Sequence, residues 1–358
     1  MKRKILFYIH SLNKGGAERV MLTIAQELNR GGDYNVVILT DKKDDLEYTL
    51  PDGLVRINIE DDKNATTTFS RLKAIRKHVK EQTPDKVVVF MLSSAIRAAV
   101  ALCLTRTRII ACVRSNPYDD YSRGRNRHIL LWCMKRCERI VCQTQYQKEF
   151  FPADLKDRCV VISNPIFSEF ATKAYMLSEN RETSNNIVAT GRLYDYKNHK
   201  LLIEAFSKIA DDHKNINVVI YGEGPFRGEL EQLIRDKKLE NRVFLPGDSD
   251  HVAEDIANAL IYVMPSDTEG LPNALMEAMA LGLPAISTDC PCGGPKSIID
   301  DGINGILVPV GDVDRMAQAI ENLLNNENLR QNMGREAQRI LKTNELSKIV
   351  DQWKEIIR

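Results

Sequence analysis

Short apolar runs alternate with amphipathic stretches along the whole chain. Residues 5–9 are apolar and rich in Ile. After Gly15-Gly16, Ala17, Val20, Met21, Ile24, Ala25 and Leu28 recur with the period of a helix face. Gly31-Gly32 ends that helix. Further strands are expected at 36–39, 87–91, 109–113 and 160–162, with a basic helix at 72–79. The polar stretch 178–186 has no apolar period. Beyond it strands are expected at 187–190, 217–221, 243–245, 260–264, 285–288 and 305–308. Helices are expected at 199–210, 227–237, 251–257, 274–280 and 315–324, and a last amphipathic helix at 344–357. Alternation of this kind predicts an α/β fold with parallel sheets covered by helices on both faces.

The chain has 358 residues, a length that suits two domains better than one. The expected boundaries are 1–168 for the first domain, 169–186 for a linker and 187–343 for the second. Hydrophobic residues are 43% and charged residues 28%, as in an ordered globular chain, and the net charge of +1 argues against a general nucleic-acid binder. None of the eight cysteines forms a C-x-x-C pair, so buried free thiols are expected. The basic start has an apolar run too short for a signal peptide. Residues 87–104 are the other membrane candidate. Arg97 in their middle would cost roughly 2.5–3.5 kcal/mol in a bilayer core, so a strand, a turn and a helix are expected there.

Ligands on open parallel sheets bind beyond the carboxyl ends of the strands, and the polar residues fall there. Thr268-Glu269-Gly270-Leu271-Pro272-Asn273 leads from a strand into a helix that carries Glu277. The helix N-terminus suits an anion, and Glu277 suits two vicinal ribose hydroxyls. Gly191-Arg192-Leu193-Tyr194-Asp195-Tyr196-Lys197-Asn198-His199 places a forked cation and a point charge after another strand, an arrangement suited to a pyrophosphate. The turns at Gly222-Glu223-Gly224 and Gly15-Gly16 would let backbone approach a ligand. G-x-G-x-x-G is absent at the first turn, which counts against a nicotinamide enzyme. Asp248-Ser249-Asp250 reads as a polar loop and not as a metal site.

Together these segments resemble the retaining family 4, or group 1, glycosyltransferases. The family's Gly-Arg-Leu-x-x-x-Lys-Asn, Gly-x-Gly-Pro and Glu-x7-Glu occur here in its order. The stretch 287–296 is similar to members that build bacterial polysaccharides and lipid-linked oligosaccharides. The resemblance implies a GT-B fold, two Rossmann-like domains with parallel sheets facing a central cleft. The acceptor is expected on the first domain and a nucleotide-sugar, usually a UDP-sugar, on the second. The last helix, 344–358, is expected to cross back to the first domain. It further implies that Arg192 and Lys197 hold the donor diphosphate and that Glu277 holds the ribose. Glu269 and the backbone of Gly270, Leu271, Pro272 and Asn273 meet the sugar and phosphate, with Gly16, Gly191 and Gly222 giving close approach. No metal or cofactor is implied. The acceptor-side histidine common in the family is not matched, and Arg114, Asn116 or His10 is expected in its place. A sugar-nucleotide epimerase or a non-catalytic nucleotide-sugar-binding scaffold is the alternative.

Residues 97–148 hold eleven Lys and Arg against three Asp and Glu, with Trp132 and Met134 interleaved, and Arg71 to Lys80 form a second basic cluster. Basic amphipathic helices suit an anionic membrane surface. A cytoplasmic protein, peripheral on the inner membrane face and reaching a polyprenyl-diphosphate-linked glycan, is therefore expected.

Overall fold

The computed structural model describes residues 2–62, 67–177 and 183–358. The chain forms two compact units. One comprises Met1–Pro165 with Ser347–Arg358, the other Ile166–Leu346.

The first unit is built on a parallel sheet of seven strands: β1 (Arg3–Ile9), β2 (Tyr34–Thr40), β3 (Val55–Asn58), β4 (Lys86–Phe90), β5 (Arg108–Cys112), β6 (Arg139–Cys142) and β7 (Cys159–Val161). Their spatial order is β3-β2-β1-β4-β5-β6-β7. The chain runs outward from β1 to β3, then returns to lay β4 on the other side of β1. β1 and β4 are nearly continuous apolar runs, because helices cover both faces of such a sheet. The helix Leu92–Ala101 follows β4 with only Met91 between them, so the expected strand and helix are present but Ser93 and Ser94 lie in the helix and not in a turn. No helix among the described residues is long and apolar enough to cross a membrane.

The C-terminal helix Leu346–Ile357 buries Ile349, Val350, Trp353 and Ile357. Trp353 stacks on Phe90 at 5.9 Å between ring centroids, and Lys86 Nζ donates to the carbonyl of Ile356 at 2.8 Å. This segment therefore belongs to the first unit, although it is last in sequence.

The second unit has a parallel sheet of six strands: β8 (Asn186–Thr190), β9 (Asn217–Tyr221), β10 (Val243–Gly247), β11 (Ile261–Met264), β12 (Ala285–Thr288) and β13 (Ile306–Val308). The order β10-β9-β8-β11-β12-β13 again reverses beside the first strand. One expectation changes here. Residues 169–177 do not act as a linker, because Ser168–Leu177 is a helix that buries Phe170 and Ala174 in the second unit. Residues 178–182 of the expected linker lie outside the described residues.

The helix over Glu327–Ala337 was not expected. It is mostly polar and buries Met333, Gly334 and Ala337. Seven of the eight cysteines are buried and all are free thiols; Cys103 is exposed. Burial raises the Cys290 thiol to about 12.

Candidate active site

In the second unit the order of strands reverses between β8 and β11, the place where open α/β sheets hold ligands. The loop after β8 is Gly191 to Asn198, and the loop after β11 is Pro265 to Pro272. These two loops meet. Lys197 Nζ donates to Glu269 Oε1 at 2.6 Å, and Ser266 Oγ donates to the same oxygen at 2.8 Å. Asn198 adopts φ +47°, caps the helix His199–Ile209 by accepting from Leu201 N, and donates from Nδ2 to Asp267 Oδ1 at 2.8 Å. Beneath them Thr190 and Tyr262, on β8 and β11, share a hydrogen bond of 3.0 Å between hydroxyls. Burial, with Glu277 and Glu269 nearby, raises the phenol pKa of Tyr262.

The glycines let the backbones close up. Gly222 has φ +145°, and a Cβ on it would lie 2.0 Å from the carbonyl oxygen of Gly191. A Cβ on Gly294 would lie 1.8 Å from the carbonyl oxygen of Gly270. The loops after β8 and β9, and those after β11 and β12, are therefore packed backbone to backbone. The helix Asn273–Ala280 starts here, and Pro272 before it offers no capping oxygen. Pro272 occupies the cap position with φ −79° and ψ 108°. Glu277 is buried on this helix, 6% exposed.

Of the residues expected at this site, Lys197 and Glu269 are in direct contact; Gly191 lies on the loop of Lys197, Gly222 packs against Gly191, and Gly270, Leu271 and Pro272 lie on the loop of Glu269 with Asn273 opening the helix after it. Arg192 is exposed. Its guanidinium lies 5.1 Å from the Tyr194 ring centroid and donates to Tyr196 Oη at 3.1 Å. An exposed guanidinium and the lysine of a mostly buried ion pair thus stand on the same loop, charges of a kind able to hold a diphosphate.

Ser266, Asp267 and Tyr262 were not foreseen, and His199 closes the motif after β8 with no role expected of it. His199 is 3% exposed, and neither ring nitrogen makes a hydrogen bond. Burial first, and Lys197 second, lower its pKa to about 4, so the ring is neutral near pH 7. Its only signal in the sequence is its place next to the capping Asn198. Ser249 of the acidic loop donates to Asp255 and accepts from His251 N at 2.9 Å, so it braces the start of the helix Val252–Ala257. The described residues contain no group of three or more His, Cys, Asp or Glu able to hold a metal.

The first unit places its three expected residues differently. Arg114 is buried. It lies 4.3 Å from the Phe90 ring centroid and 5.6 Å from that of Trp353, and Nη1 donates to Asn164 Oδ1 at 2.9 Å. Its Nε and Nη2 have no partner, and burial lowers its pKa. Asn116 is buried too and caps Pro117–Tyr121 by accepting from Tyr118 N. Only His10 presents an exposed ring, with its Nδ1 2.8 Å from Asp41 Oδ2. Gly16 begins the helix Gly16–Arg30 directly after the β1 loop. Of the basic clusters, Arg136 is bound by the carbonyls of Leu102, Thr105 and Thr107, and Arg127 by that of Phe150. Phe69 and Trp132 stay largely exposed among the remaining cations.

The chain matches the family model "Glycosyltransferase Family 4" over residues 14–170 and "Glycosyl transferases group 1" over residues 176–340. An exopolysaccharide phosphotransferase of Streptomyces coelicolor is 31% identical over 293 residues, which is 81% of this chain but 30% of that protein. A Campylobacter jejuni protein named GalNAc-alpha-(1->4)-GalNAc-alpha-(1->3)-diNAcBac-PP-undecaprenol alpha-1,4-N-acetyl-D-galactosaminyltransferase is 27% identical over 99% of this chain and 98% of its own. The crystal structure of Anabaena HepE in complex with UDP-glucose superposes with a TM-score of 0.81 at 18% identity, covering 99% of each chain. With a parallel sheet of Rossmann type in each unit and a family model on each, the chain belongs to the group 1 and family 4 glycosyltransferases and has the GT-B fold.

Proposed function

We propose that this glycosyltransferase moves a hexose or N-acetylhexosamine, with retention of anomeric configuration, from a UDP-sugar to a lipid-linked glycan in bacterial polysaccharide or oligosaccharide assembly. The observation that carries the donor half is the Lys197–Glu269 pair at the reversal point of the second sheet, beside the Asn273–Ala280 helix. Departure of a nucleoside diphosphate builds negative charge. Arg192, Lys197 and the helix N-terminus supply fixed positive charge to meet it, without a metal. In this reading Lys197 exchanges part of its bond to Glu269 for a phosphate oxygen, freeing Glu269 toward the sugar. Glu277 accepts from the ribose hydroxyls. Gly191, Gly222 and Gly270 keep side chains out of the nucleotide's way. The leaving phosphate takes the acceptor proton on the same face.

Support for the donor comes from Anabaena HepE, solved with UDP-glucose, and for the acceptor from the undecaprenol-linked glycan in the Campylobacter relative's name. The exposed Phe69 and Trp132 among the cations of the first unit support docking on an anionic membrane at its cytoplasmic face. The test is thermal shift with UDP, GDP and ADP on wild type and Glu277→Ala. Ligand at about 100 times its Kd stabilises by roughly 2.7 kcal/mol. A rise with UDP that the variant loses is expected. No rise with any of the three would remove the reading.

A further inference from the structure

The first sheet has its own reversal point, between β1 and β4, and a buried acid stands beside it. Asp41, the residue after β2, is 2% exposed. Two groups donate to it, Tyr8 Oη at 2.7 Å and His10 Nδ1 at 2.8 Å, and Arg97 Nη2 forms an ion pair with it at 2.9 Å. Arg97 Nε also donates to Tyr8 Oη at 3.1 Å, and its Nη2 to Ser94 Oγ at 3.0 Å. The network draws on β1, the loop after it, the loop after β2 and the helix after β4. It accounts for the arginine in an otherwise apolar stretch.

Burial by itself would push the Asp41 carboxyl up. The hydrogen bonds from His10 and Tyr8 and the charge of Arg97 outweigh it and hold the group below the usual carboxylate range. An ionised carboxylate only accepts, so the proton between Asp41 and His10 sits on Nδ1. In the neutral ring Nε2 then carries a lone pair. The His10 side chain is 44% exposed, and Nε2 has no partner among the described residues. The pair is not needed to join the two loops. The backbone does that, since Asp41 N and Lys42 N both donate to the carbonyl of His10, at 3.0 and 3.2 Å.

We propose that His10 Nε2 accepts a hydrogen bond from a hydroxyl of the carbohydrate acceptor, and that Asp41 is the positioning residue that holds the proton of the neutral ring on Nδ1 and so leaves Nε2 facing the hydroxyl. This rests on the glycosyltransferase reading above and assigns the acceptor side of the reaction. His10 holds and aligns the hydroxyl, and no covalent step passes through it.

The test uses the full chain, labelled with 15N at histidine. Long-range proton–nitrogen spectra, with the His10 ring assigned by His10→Gln, should show a protonated Nδ1 and a bare Nε2 in the neutral ring. Asp41→Asn should move the proton to Nε2. With UDP bound, p-nitrophenyl α-glycosides of glucose, galactose, N-acetylglucosamine and N-acetylgalactosamine are titrated in turn, and at least one should shift the Nε2 resonance. With that glycoside as acceptor, His10→Gln and Asp41→Asn should lower kcat by about 100-fold, while the Kd for UDP stays within about twofold. His10→Gln alters an exposed ring and keeps the test open should Asp41→Asn fail to fold. A protonated Nε2 in the wild type, no shift with any glycoside, or unchanged kcat in His10→Gln would overturn the proposal. Failure of the wild type to bind UDP, GDP or ADP would instead overturn the donor reading, and the tautomer result would stand apart from it.

Discussion

Lys197 and Glu269 are 72 residues apart in the chain and 2.6 Å apart in space. Both side chains are mostly buried, 21% and 12% exposed, so the pair is shielded from the solvent that weakens most surface ion pairs. In the proposed donor site Lys197 would meet a phosphate and Glu269 the sugar.

Removing Lys197 should therefore harm binding more than folding. Lys197→Ala should weaken UDP by roughly 10–100-fold, the worth of one charge-assisted hydrogen bond of about 1.5–3 kcal/mol. Isothermal titration on protein shown to be folded measures this. A Kd for UDP equal to that of the wild type would take Lys197 out of the donor site.

Gly222 and Gly294 serve close approach between loops. Gly222→Ala and Gly294→Ala should each lose about 1–3 kcal/mol in denaturant unfolding, since the added methyl meets a carbonyl oxygen at 2.0 and 1.8 Å. Gly228→Ala is the control, because its Cβ would meet nothing within 4 Å.

Arg114 has a structural place. Two of its donors are buried without partners, a cost that a methionine of similar length does not carry. Arg114→Met should leave stability unchanged within about 1 kcal/mol or raise it, with UDP binding intact. Trp353→Ala should cost about 3–5 kcal/mol, because it empties the space between the C-terminal helix and Phe90. Both are read from the unfolding midpoint.

His199 should make stability depend on pH. Its folded pKa of about 4 lies below the ordinary 6.5, so between these values the unfolded chain binds a proton that the folded chain refuses. The contribution is in full force above pH 6.5 and is lost as the pH falls toward 4. It amounts to about 3 kcal/mol at 1.36 kcal/mol per pH unit. His199→Gln should flatten the unfolding free energy across that window; an unchanged slope would assign the acid sensitivity to other groups.

The basic face of the first unit should bind vesicles with anionic lipid at low salt and release them as salt rises. Phe69→Ser with Trp132→Ser should weaken sedimentation with such vesicles and leave UDP binding unchanged. Equal sedimentation by the double variant would remove these two rings from the contact.

The strands of the second unit were legible almost to the residue. Each is a short, mostly apolar run bounded by polar or turn residues, and period-3.6 helices lie between them. β3, with the sequence Val-Arg-Ile-Asn, and β6, inside a basic stretch, were not legible. Short strands beside charged residues carry no period of their own, and neighbours already in the sheet recruit them. The helix Ser168–Leu177 was missed because it abuts the polar stretch that marks the boundary.

The sequence by itself determined the α/β class, the family and the loops that carry the donor chemistry, because these depend on local period, on turn glycines and on motifs read in order. Only the tertiary structure decided which side chains meet. It set Lys197 on Glu269, sank Arg114 between Phe90 and Trp353, and tied His10 through Asp41 to Arg97. Those pairings join residues tens to hundreds of positions apart. Strand order creates them, and strand order is a property of the packed sheet that no local stretch of sequence contains.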